Sequence, residues 1–317
     1  MEKAILTVAT GNPVYIQLAV NLARSFKWWH TNSDIQFLIV TDQADLFPSD
    51  LEDISLIEIK PSEFGEGFST KIHLDLLTPA QKTLFVDADC LCFGSLEPMF
   101  NRFSGHSVSV VGKQIQNGEW FGDISAILSQ FSLSEMPRFN GGLYYIEKGK
   151  TATKVYETAR ALENKYDSIG FRRLRGRSND EVLMSLAMAI HDQKPVLEDG
   201  TIMNSTLACP GGVNVDVITG YVKLQNPKSH KLYNSWYPEE MSPVLVHFLS
   251  SETKNLPYVS EAEKMRLIMS EKYPIALAKL QSYLNMVLPM MVFENMKYIF
   301  RPMYRKIFGV RAIKASR

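Results

Sequence analysis

The sequence predicts an α/β fold in which a mostly parallel sheet is flanked by helices. Near the start of the chain, short apolar runs alternate with a segment of helical periodicity, which is the pattern of a strand–helix–strand crossover unit. Apolar residues make up 45% of the 317 residues, enough for the core of one large or two ordinary domains. We therefore expect the chain to fold by itself.

The first crossover unit begins with an apolar run rich in β-forming residues, followed by a turn that ends in Asn12 and Pro13. Asparagine is a favourable helix N-cap and proline is favoured at the first helical position, so a helix is predicted to begin here. Further apolar runs predict two more strands of a parallel sheet. The predicted bounds are a strand at residues 4–9, a helix at 13–29, and strands at 35–40 and 54–59.

The next apolar strand ends in two carboxylates one residue apart, Asp87 and Asp89. Such a pair suits Mg²⁺ or Mn²⁺, since one or two protein carboxylates suffice when substrate phosphates complete the coordination shell. Aspartates that cap their own backbone in a turn are the alternative. Because ligands of parallel sheets bind beyond the carboxyl ends of the strands, other polar residues are expected to share a crevice with this pair. They are Thr10, Gly11, Asn12 and Asp42.

Two glycine-containing segments add candidates for the same crevice. The first is predicted to lead into a short helix at residues 69–77, where Lys71 is a candidate phosphate partner beside free backbone N–H groups. A solvated surface lysine is the alternative. The second is Asn140-Gly141-Gly142, before an apolar strand. Adjacent glycines either form a tight turn or let a ligand approach the backbone, and beside a ligand Asn140 would offer its amide to a hydroxyl-rich substrate.

The middle of the chain is predicted to be rich in functional loops. Residues 112–138 are mostly polar, with a helix at 124–131, and residues 190–240 are irregular and expected on the acceptor side. Between them, a helix is predicted at residues 151–165 and a basic loop at residues 167–177. This loop would suit an anionic acceptor, with a solvated loop as the alternative. Its arginines are Arg172, Arg173, Arg175 and Arg177.

A helix start and a late strand complete the candidate site. Asn179 suits a helix cap, and Asp180 and Glu181 follow in the first turn, where carboxylates interact favourably with the helix dipole. These roles are structural, so the two carboxylates do not by themselves indicate chemistry. The late strand, predicted at residues 244–248, contains His247, for which a half-buried structural histidine is the alternative to a ligand.

Charge and cysteine content restrict the class of protein. The 34 Lys and Arg balance the 34 Asp and Glu, so the whole chain lacks the charge of a general nucleic-acid binder. Three cysteines without paired spacing predict neither a disulfide framework nor a zinc site, which suits a reducing compartment. The short apolar run at the N-terminus predicts no signal peptide. We expect a cytoplasmic protein.

The last residues differ from the rest of the chain in charge. Residues 291–317 contain seven Lys or Arg against one Glu, interleaved with aromatic side chains. This pattern suits an anionic membrane surface, at about 1 kcal/mol per cation, with a helix packed on the domain as the alternative. The apolar run at residues 283–293 is too short to span a membrane. We predict a domain at residues 1–250 and a helical extension at residues 251–317 that suits the inner face of a membrane.

On these motifs the chain resembles the family 8 glycosyltransferases, retaining enzymes of the GT-A fold that include glycogenin-like and bacterial lipopolysaccharide hexosyltransferase-like proteins. The resemblance covers residues 1–250 and rests on the order of the motifs along the chain. It implies a nucleoside diphosphate sugar, in the first place a UDP-hexose, bound through Mn²⁺ or Mg²⁺. It also implies transfer of the hexose to a glycan or glycolipid.

The resemblance also implies roles for residues of this sequence. The metal ligands would be Asp87, Asp89 and His247. Donor contacts would come from Lys71, Asn140, Gly141 and Gly142, and the nucleoside pocket from Thr10, Asn12 and Tyr15. The catalytic residues that contact the sugar would be Asn140, Asp180 and Glu181.

The sequence departs from the family at two places. The acidic helix start usually reads Asp-Gln, whereas Asn179 and Asp180 stand there, so either Asp180 or Glu181 is the sugar-contacting carboxylate. After His247, Ser250 replaces a glycine and Lys254 falls one residue late, which leaves the phosphate-binding lysine open.

Three other classes of protein were compared with these motifs. An Asp-x-Asp phosphatase normally continues with Gly-Thr, where this chain has Cys90-Leu91. A nucleotidyltransferase on a similar sheet needs a basic, glycine-rich loop after its first strand, and residues 10–13 contain no basic side chain. A catalytically silent module that binds nucleotide sugars stays open as an alternative.

Overall fold

The computed structural model describes residues 1–31, 33–51, 53–65 and 67–309. Its strands are β1 (Lys3–Ala9), β2 (Gln36–Thr41), β3 (Ser55–Glu58), β4 (Lys82–Val86), β5 (Cys90–Cys92), β6 (Val108–Ser109), β7 (Val111–Ile115), β8 (Met136–Phe139), β9 (Leu143–Glu147), β10 (Val196–Leu197), β11 (Met203–Ser205), β12 (Gly212–Asp216), β13 (Tyr221–Gln225), β14 (Glu240–Met241) and β15 (Leu245–His247). Its α-helices are α1 (Pro13–Trp29), α2 (Leu74–Leu77), α3 (Glu97–Arg102), α4 (Ile124–Gln130), α5 (Lys150–Glu163), α6 (Tyr166–Ile169), α7 (Asp180–Ile190), α8 (Tyr258–Met269), α9 (Ile275–Ser282) and α10 (Leu288–Phe308).

The central sheet has six strands in the order β3-β2-β1-β4-β9-β6. The first four strands are parallel to one another, and β9 runs antiparallel to both β4 and β6. Three small sheets, β10-β7-β8, β11-β15-β5 and β12-β13-β14, lie outside it. The predicted α/β fold with a mostly parallel sheet is therefore confirmed.

The first crossover unit forms as the sequence predicts, with strand ends shifted by one residue. The Asn12 side chain caps α1 by accepting a hydrogen bond of 2.9 Å from the backbone N–H of Val14, and Pro13 occupies the first helical position. Residues of the sheet interior such as Leu6 and Leu38 are almost fully buried. Burial of each such side chain contributes about 1.5–3 kcal/mol, which explains why these strands are apolar on both faces.

Two loop predictions are wrong in secondary structure, whereas the helix predicted at residues 69–77 is present. It consists of a 3₁₀ helix, Gly67–His73, that continues into α2. The polar region at residues 112–138 contains β7 as well as α4, and the region at residues 190–240 contains β10, β11, β12 and β13. These strands are short and pair mostly outside the central sheet, so they leave a weak signal of alternation in the sequence.

The chain divides into two compact units, Met1–Thr253 and Lys254–Arg317. In the second unit, α9 and α10 belong to one continuous helix, Ile275–Phe308, so the apolar run at residues 283–293 is part of a longer element. Length and composition alone would allow this helix to cross a membrane, although some core helices of soluble proteins are equally long and apolar. None of the residues in α10 is buried.

The tail cations fall into two groups. Those within α10 are Lys297, Arg301, Arg305 and Lys306. The remaining three, Arg311, Lys314 and Arg317, lie outside the described residues. Lys254, whose position relative to the family motif was left open, ends a 3₁₀ turn, Ser250–Lys254, at the boundary of the two units.

Candidate active site

Asp87 and Asp89 lie in a tight turn between β4 and β5. The backbone N–H of Asp87 donates to the carbonyl of Gly142 (3.0 Å), and the N–H of Cys90 donates back to the carbonyl of Asp87 (3.0 Å). Strand β5 pairs antiparallel with β15, and the register places Cys90 opposite His247. Sheet register therefore brings a histidine from far along the chain to the two carboxylates.

His247 faces both aspartates with its Nε2 atom. That atom lies 2.9 Å from Asp89 Oδ1 and 3.7 Å from Asp87 Oδ2, and only 2% of the side chain is exposed. Burial alone would lower the pKa of His247, but the interactions with Asp89 and Asp87 together outweigh burial and raise it. Burial alone would raise the pKa of Asp89, but the attraction to His247 outweighs it and lowers it. Asp89 and His247 therefore stabilise each other's charged forms, and a cation bound at Nε2 would take the place of the imidazole proton.

Asn140 fixes the orientation of the imidazole. Its Oδ1 atom lies 2.9 Å from His247 Nδ1 and also accepts a hydrogen bond of 3.0 Å from the backbone N–H of Gly142. Because that oxygen is an acceptor, Nδ1 carries the proton, which leaves Nε2 to act as a ligand. Among the described atoms, Nε2 has no aligned hydrogen-bond partner, although it is buried.

The donor atoms of this cluster fit a divalent cation. Two carboxylates and an oriented imidazole suit Mn²⁺ or Mg²⁺, and the buried Nε2, 2.9 Å from Asp89 Oδ1, points at the carboxylates. The Cys90 thiol also lies within 4.8 Å of the ligand atoms of Asp89 and His247. Burial and the nearby aspartates raise the pKa of that thiol well above its usual range. Since the thiolate is the form that binds metals, Cys90 is the poorest ligand in the cluster.

Lys71 is bonded directly to this cluster. Its Nζ atom donates to Asp87 Oδ2 (2.7 Å) and to the carbonyl of Gly141 (2.9 Å), and 15% of its side chain is exposed. Burial alone would lower the pKa of Lys71, but the charges of Asp87 and Asp180 outweigh burial and raise it. The alternative of a solvated surface lysine is therefore wrong, and Lys71 is a fixed positive charge beside the aspartates.

The first turn of α7 directs two acids at the glycine turn. The Asn179 side chain caps the helix through the N–H of Glu181 (2.9 Å). Asp180 Oδ2 accepts from the Tyr144 hydroxyl (2.5 Å), and Glu181 Oε1 accepts from the N–H of Gly141 (2.7 Å). Burial and the charge of Asp180 raise the pKa of Glu181 to about 7, and burial also raises the pKa of Asp180. The start of α7 therefore has two roles: Asn179 caps the helix, and Asp180 and Glu181 belong to the site.

The two glycines are required by close packing against site residues. A Cβ atom on Gly142 would lie 2.5 Å from His247 Nδ1, and one on Gly141 would lie 3.0 Å from Glu181 Cγ. Neither glycine has a left-handed backbone conformation. Their small size, rather than turn geometry, brings His247, Asn140 and Glu181 together.

The residues after β1 lie apart from this hydrogen-bonded cluster. Thr10, Asn12 and Tyr15 follow the carboxyl end of β1, which neighbours β4 in the parallel part of the sheet. The Asp42 carboxylate, after β2, accepts a hydrogen bond of 3.0 Å from the N–H of Gly11. Within the described ranges, no hydrogen bond or ion pair joins these residues to Asp87 or Asp89. These residues follow the carboxyl ends of the parallel strands β1 and β2, on the same side of the sheet as the cluster, and form no hydrogen bond with the two aspartates among the described residues.

A cavity of about 160 Å³ adjoins the glycine turn and includes residues that the sequence analysis did not select. Asn140 and Glu181 line it together with Arg138, Trp236 and Tyr237. The sequence could have indicated Arg138, because it lies two residues before Asn140 and alternate residues of an extended segment share a face. Trp236 lies in the region predicted to be irregular and had no such signal.

The basic loop does not present four free cations. Arg172 is paired with Glu119, and Arg173 is paired with Asp167 (2.7 Å). Arg177 also has an interaction partner. Only Arg175 has no partner among the described residues of the loop, where it is exposed.

No protein-family model and no curated protein matches the chain. Among solved structures, it resembles the galactosyltransferase LgtC in complex with donor and acceptor sugar analogues, with a TM-score of 0.53 and 12% identity over 84% of this chain and 95% of that one. It also resembles the bifunctional glycosyltransferase WbbM (TM-score 0.53, 10% identity, 90% of this chain and 52% of that one). A third is the glycosyltransferase GlyE of Streptococcus pneumoniae TIGR4 (TM-score 0.51, 13% identity, 89% and 63%). At such identities these likenesses establish the fold, and the predicted resemblance to glycosyltransferases is confirmed at that level.

Proposed function

We propose that this protein is a metal-dependent glycosyltransferase that moves a hexose from a nucleoside diphosphate sugar to a hydroxyl of a glycan or glycolipid, with retention of configuration. The observation that carries the proposal is the cluster of Asp87, Asp89 and His247, with Lys71 bonded to it, beyond the carboxyl end of β4. A fold shared with solved glycosyltransferases supports it. The donor that we propose is a UDP-hexose.

The charges of the cluster suit a leaving diphosphate. Asp87, Asp89 and His247 would hold Mn²⁺ or Mg²⁺, and a bound divalent ion supplies electrostatic stabilisation of the negative charge that develops on the diphosphate. Lys71 brings a second positive charge to the same place, because its raised pKa keeps it protonated at neutral pH. Asn140 holds the imidazole and therefore keeps this arrangement in position.

On the sugar side we assign different roles to the two acids of α7. Glu181 lines the cavity, and its pKa of about 7 suits exchange of a proton near neutral pH, so it is the sugar-contacting carboxylate. Asp180 is held by the Tyr144 hydroxyl, and its charge acts on Lys71 and Glu181. Asn140 lines the cavity as well and offers its amide N–H₂ to sugar hydroxyls.

The nucleoside would bind at the start of α1. Thr10 and Asn12 offer polar side chains there, and half of the Tyr15 side chain is exposed, so its ring is available for stacking on a base. Gly141 and Gly142 directly follow Asn140 of the cavity, and the N–H of Gly141 donates to Glu181, so their backbone would contact the donor sugar.

The test is a screen of uridine, guanosine and other nucleoside diphosphate sugars with Mn²⁺, Mg²⁺ or EDTA. We expect release of the nucleoside diphosphate from a UDP-hexose with Mn²⁺ and none with EDTA. Release of inorganic phosphate instead would favour the phosphatase alternative. If no donor is consumed and a nucleoside diphosphate still raises the melting temperature, the protein is a silent binding module.

We further propose that the C-terminal helix attaches a cytoplasmic enzyme to the inner face of a membrane. Helix α10 has no buried residue and carries Arg301, Arg305 and Lys306. Exposed aromatic side chains lie on the same helix. Replacing all three by glutamine in the full chain should weaken binding to vesicles containing anionic lipid by about 3 kcal/mol, at about 1 kcal/mol per cation. Flotation of vesicles measures this, with purely zwitterionic vesicles as the control. Equal flotation of both proteins on anionic vesicles would remove the membrane proposal.

A further inference from the structure

The cavity beside the glycine turn is lined by one cation, Arg138, and a second cation, Lys113, lies next to Arg138 in the sheet. Strands β7 and β8 pair in a register that places Lys113 directly opposite Arg138. Both cations lie over the ring of Trp236, with Arg138 Cζ 4.6 Å and Lys113 Nζ 5.3 Å from its centroid. We call the cavity with these three side chains the cationic cleft.

The two cations differ in their bonding. Lys113 Nζ donates a hydrogen bond of 2.7 Å to the carbonyl of Trp236. Arg138 is half-buried and lines the cavity, yet its guanidinium has no hydrogen bond or ion pair within the part of the chain that the structure describes. A guanidinium carries five N–H donors in a planar fork that matches a carboxylate or a phosphate. The donors of Arg138 are therefore held in place, at the cavity, without an acceptor.

Folding gains little from this arrangement. Like charges directly opposite each other in a sheet are destabilising, and the two cation–π contacts with Trp236 offset that cost only in part. Glu181, an acid that also lines the cavity, accepts from the N–H of Gly141 and forms no ion pair with Arg138. An anion from a ligand in the cavity would satisfy the free donors of Arg138 and offset the repulsion between the two cations.

We propose that the cationic cleft binds an acidic group, a carboxylate or a phosphate, on the acceptor glycan. The word acceptor rests on the proposed glycosyl transfer, because the cleft shares Asn140 and Glu181 with the sugar side of that site. The volume of about 160 Å³ is below the roughly 300 Å³ at which sites for drug-sized ligands begin, so the cleft holds about one sugar unit rather than a whole oligosaccharide. The basic loop that the sequence favoured for an anionic acceptor is a poorer site, since Arg172 and Arg173 already have acidic partners.

The experiment measures binding of simple glycosides to the full chain by calorimetry or ligand-observed NMR. The probes are methyl glucuronide, with a carboxylate, glucose 6-phosphate, with a phosphate, and methyl glucoside as the neutral match. We expect at least one acidic probe to bind about tenfold more tightly than methyl glucoside, or about 1.4 kcal/mol. The acid that binds better identifies the group.

The Arg138→Gln variant should lose this preference, so that the acidic probes bind no more tightly than methyl glucoside. Arg175→Gln is the matched control, because Arg175 is an exposed arginine outside the cavity, and it should keep the preference. The proposal is overturned if no acidic probe binds better than methyl glucoside, or if Arg138→Gln keeps the preference.

Donor binding is measured in parallel, so that the two proposals can fail separately. Mn²⁺-dependent consumption of UDP-hexose tests glycosyl transfer and does not depend on the glycosides. If Arg138→Gln instead weakens UDP binding and leaves the glycosides unaffected, Arg138 belongs to the donor site and the acidic-acceptor proposal is wrong. If acidic probes bind through Arg138 and no donor is consumed, the cleft stands and the transferase proposal fails.

Discussion

Lys71 and Arg138 are two cations near the same glycine turn, and they differ in whether the protein supplies them with acidic partners. Lys71 bonds to Asp87 and to the carbonyl of Gly141, and further acids lie around it. Arg138 rests on Trp236 and has no acidic partner among the described residues. One cation completes a set of charges within the protein, whereas the other leaves its donors open to the cavity.

This difference separates a preorganised region from an open one. In the cluster around Asp87, strand register, capping and two glycines fix the positions of His247, Asn140 and Glu181 before any ligand arrives. Preorganised charge of this kind stabilises a developing charge without reorganisation at the moment of reaction. In the cationic cleft, the Lys113 ammonium is bonded to the Trp236 carbonyl, whereas the Arg138 guanidinium has no such bond among the described residues and is open to an acidic group of a ligand.

The largest effect is expected where the preorganised region loses a carboxylate. Asp87→Ala and Asp89→Ala should each lower Mn²⁺-dependent donor hydrolysis by about 10³-fold or more, because the divalent ion and its charge stabilisation are lost together. Binding of Mn²⁺, measured by electron paramagnetic resonance, should weaken in both variants. Asp53→Asn, at an exposed aspartate paired with Lys27, is the control. Full activity in either alanine variant would remove the metal assignment.

Glu181 connects the two regions, and its pKa predicts a smaller effect on stability. The folded pKa of about 7 is above the ordinary value of 4.5, so the folded chain holds a proton that the unfolded chain releases between these pH values. The stability contributed by this group is present below pH 4.5 and is lost as the pH rises towards 7. A shift of this size corresponds to roughly 3 kcal/mol.

Glu181→Gln removes this dependence. The difference in free energy of unfolding between the variant and the unchanged protein should move in favour of the variant by about 3 kcal/mol when the pH is raised from 4.5 to 7.5. Urea unfolding at both pH values measures it, with Glu157→Gln on the exposed side of α5 as the control. An identical slope with pH for Glu181→Gln and the unchanged protein would contradict the raised pKa.

The glycine turn offers a comparison between two substitutions of the same kind. Gly142→Ala should destabilise the protein by about 2 kcal/mol and weaken Mn²⁺ binding, because its Cβ would lie 2.5 Å from His247 Nδ1. Gly149→Ala has no atom within 4 Å of the new Cβ, so it should leave Mn²⁺ binding unchanged and cost no more than about 1 kcal/mol, for the loss of the glycine N-cap of α5. Urea unfolding and Mn²⁺ titration measure both. If the two variants behave alike, close packing does not explain Gly142.

Much of the fold and of the preorganised region is predictable from local sequence. The strand at residues 4–9, the cap at Asn12 and the carboxylates after β4 follow from apolar runs, capping chemistry and the rule that ligands bind at carboxyl ends of strands. The contact of His247 with Asp89 requires the pairing of β5 with β15, which are separated by more than half of the described unit. Without the family resemblance, the sequence offers no signal for that pairing.

The cationic cleft was missed for a different reason. Its cations come from β7 and β8 and its aromatic ring from Trp236, and no motif links these segments along the chain. Short strands in polar regions give weak alternation, so the register of Lys113 with Arg138 is visible only in three dimensions. The four clustered arginines at residues 172–177 gave a stronger pattern in the sequence, although two of them form ion pairs.

The smallest effect is expected at Arg138, and it sharpens the comparison with Lys71. Arg138→Gln should change the free energy of unfolding by no more than about 0.5 kcal/mol, because the substitution removes one of two like charges and no ion pair. Urea unfolding measures this, with Arg160→Gln as the contrast, since Arg160 is bonded to Asp75 (2.7 Å). A loss at Arg138 as large as that at Arg160 would show that Arg138 holds the fold together. A near-zero change, together with lost binding of acidic glycosides, would show that this cation is retained for a ligand.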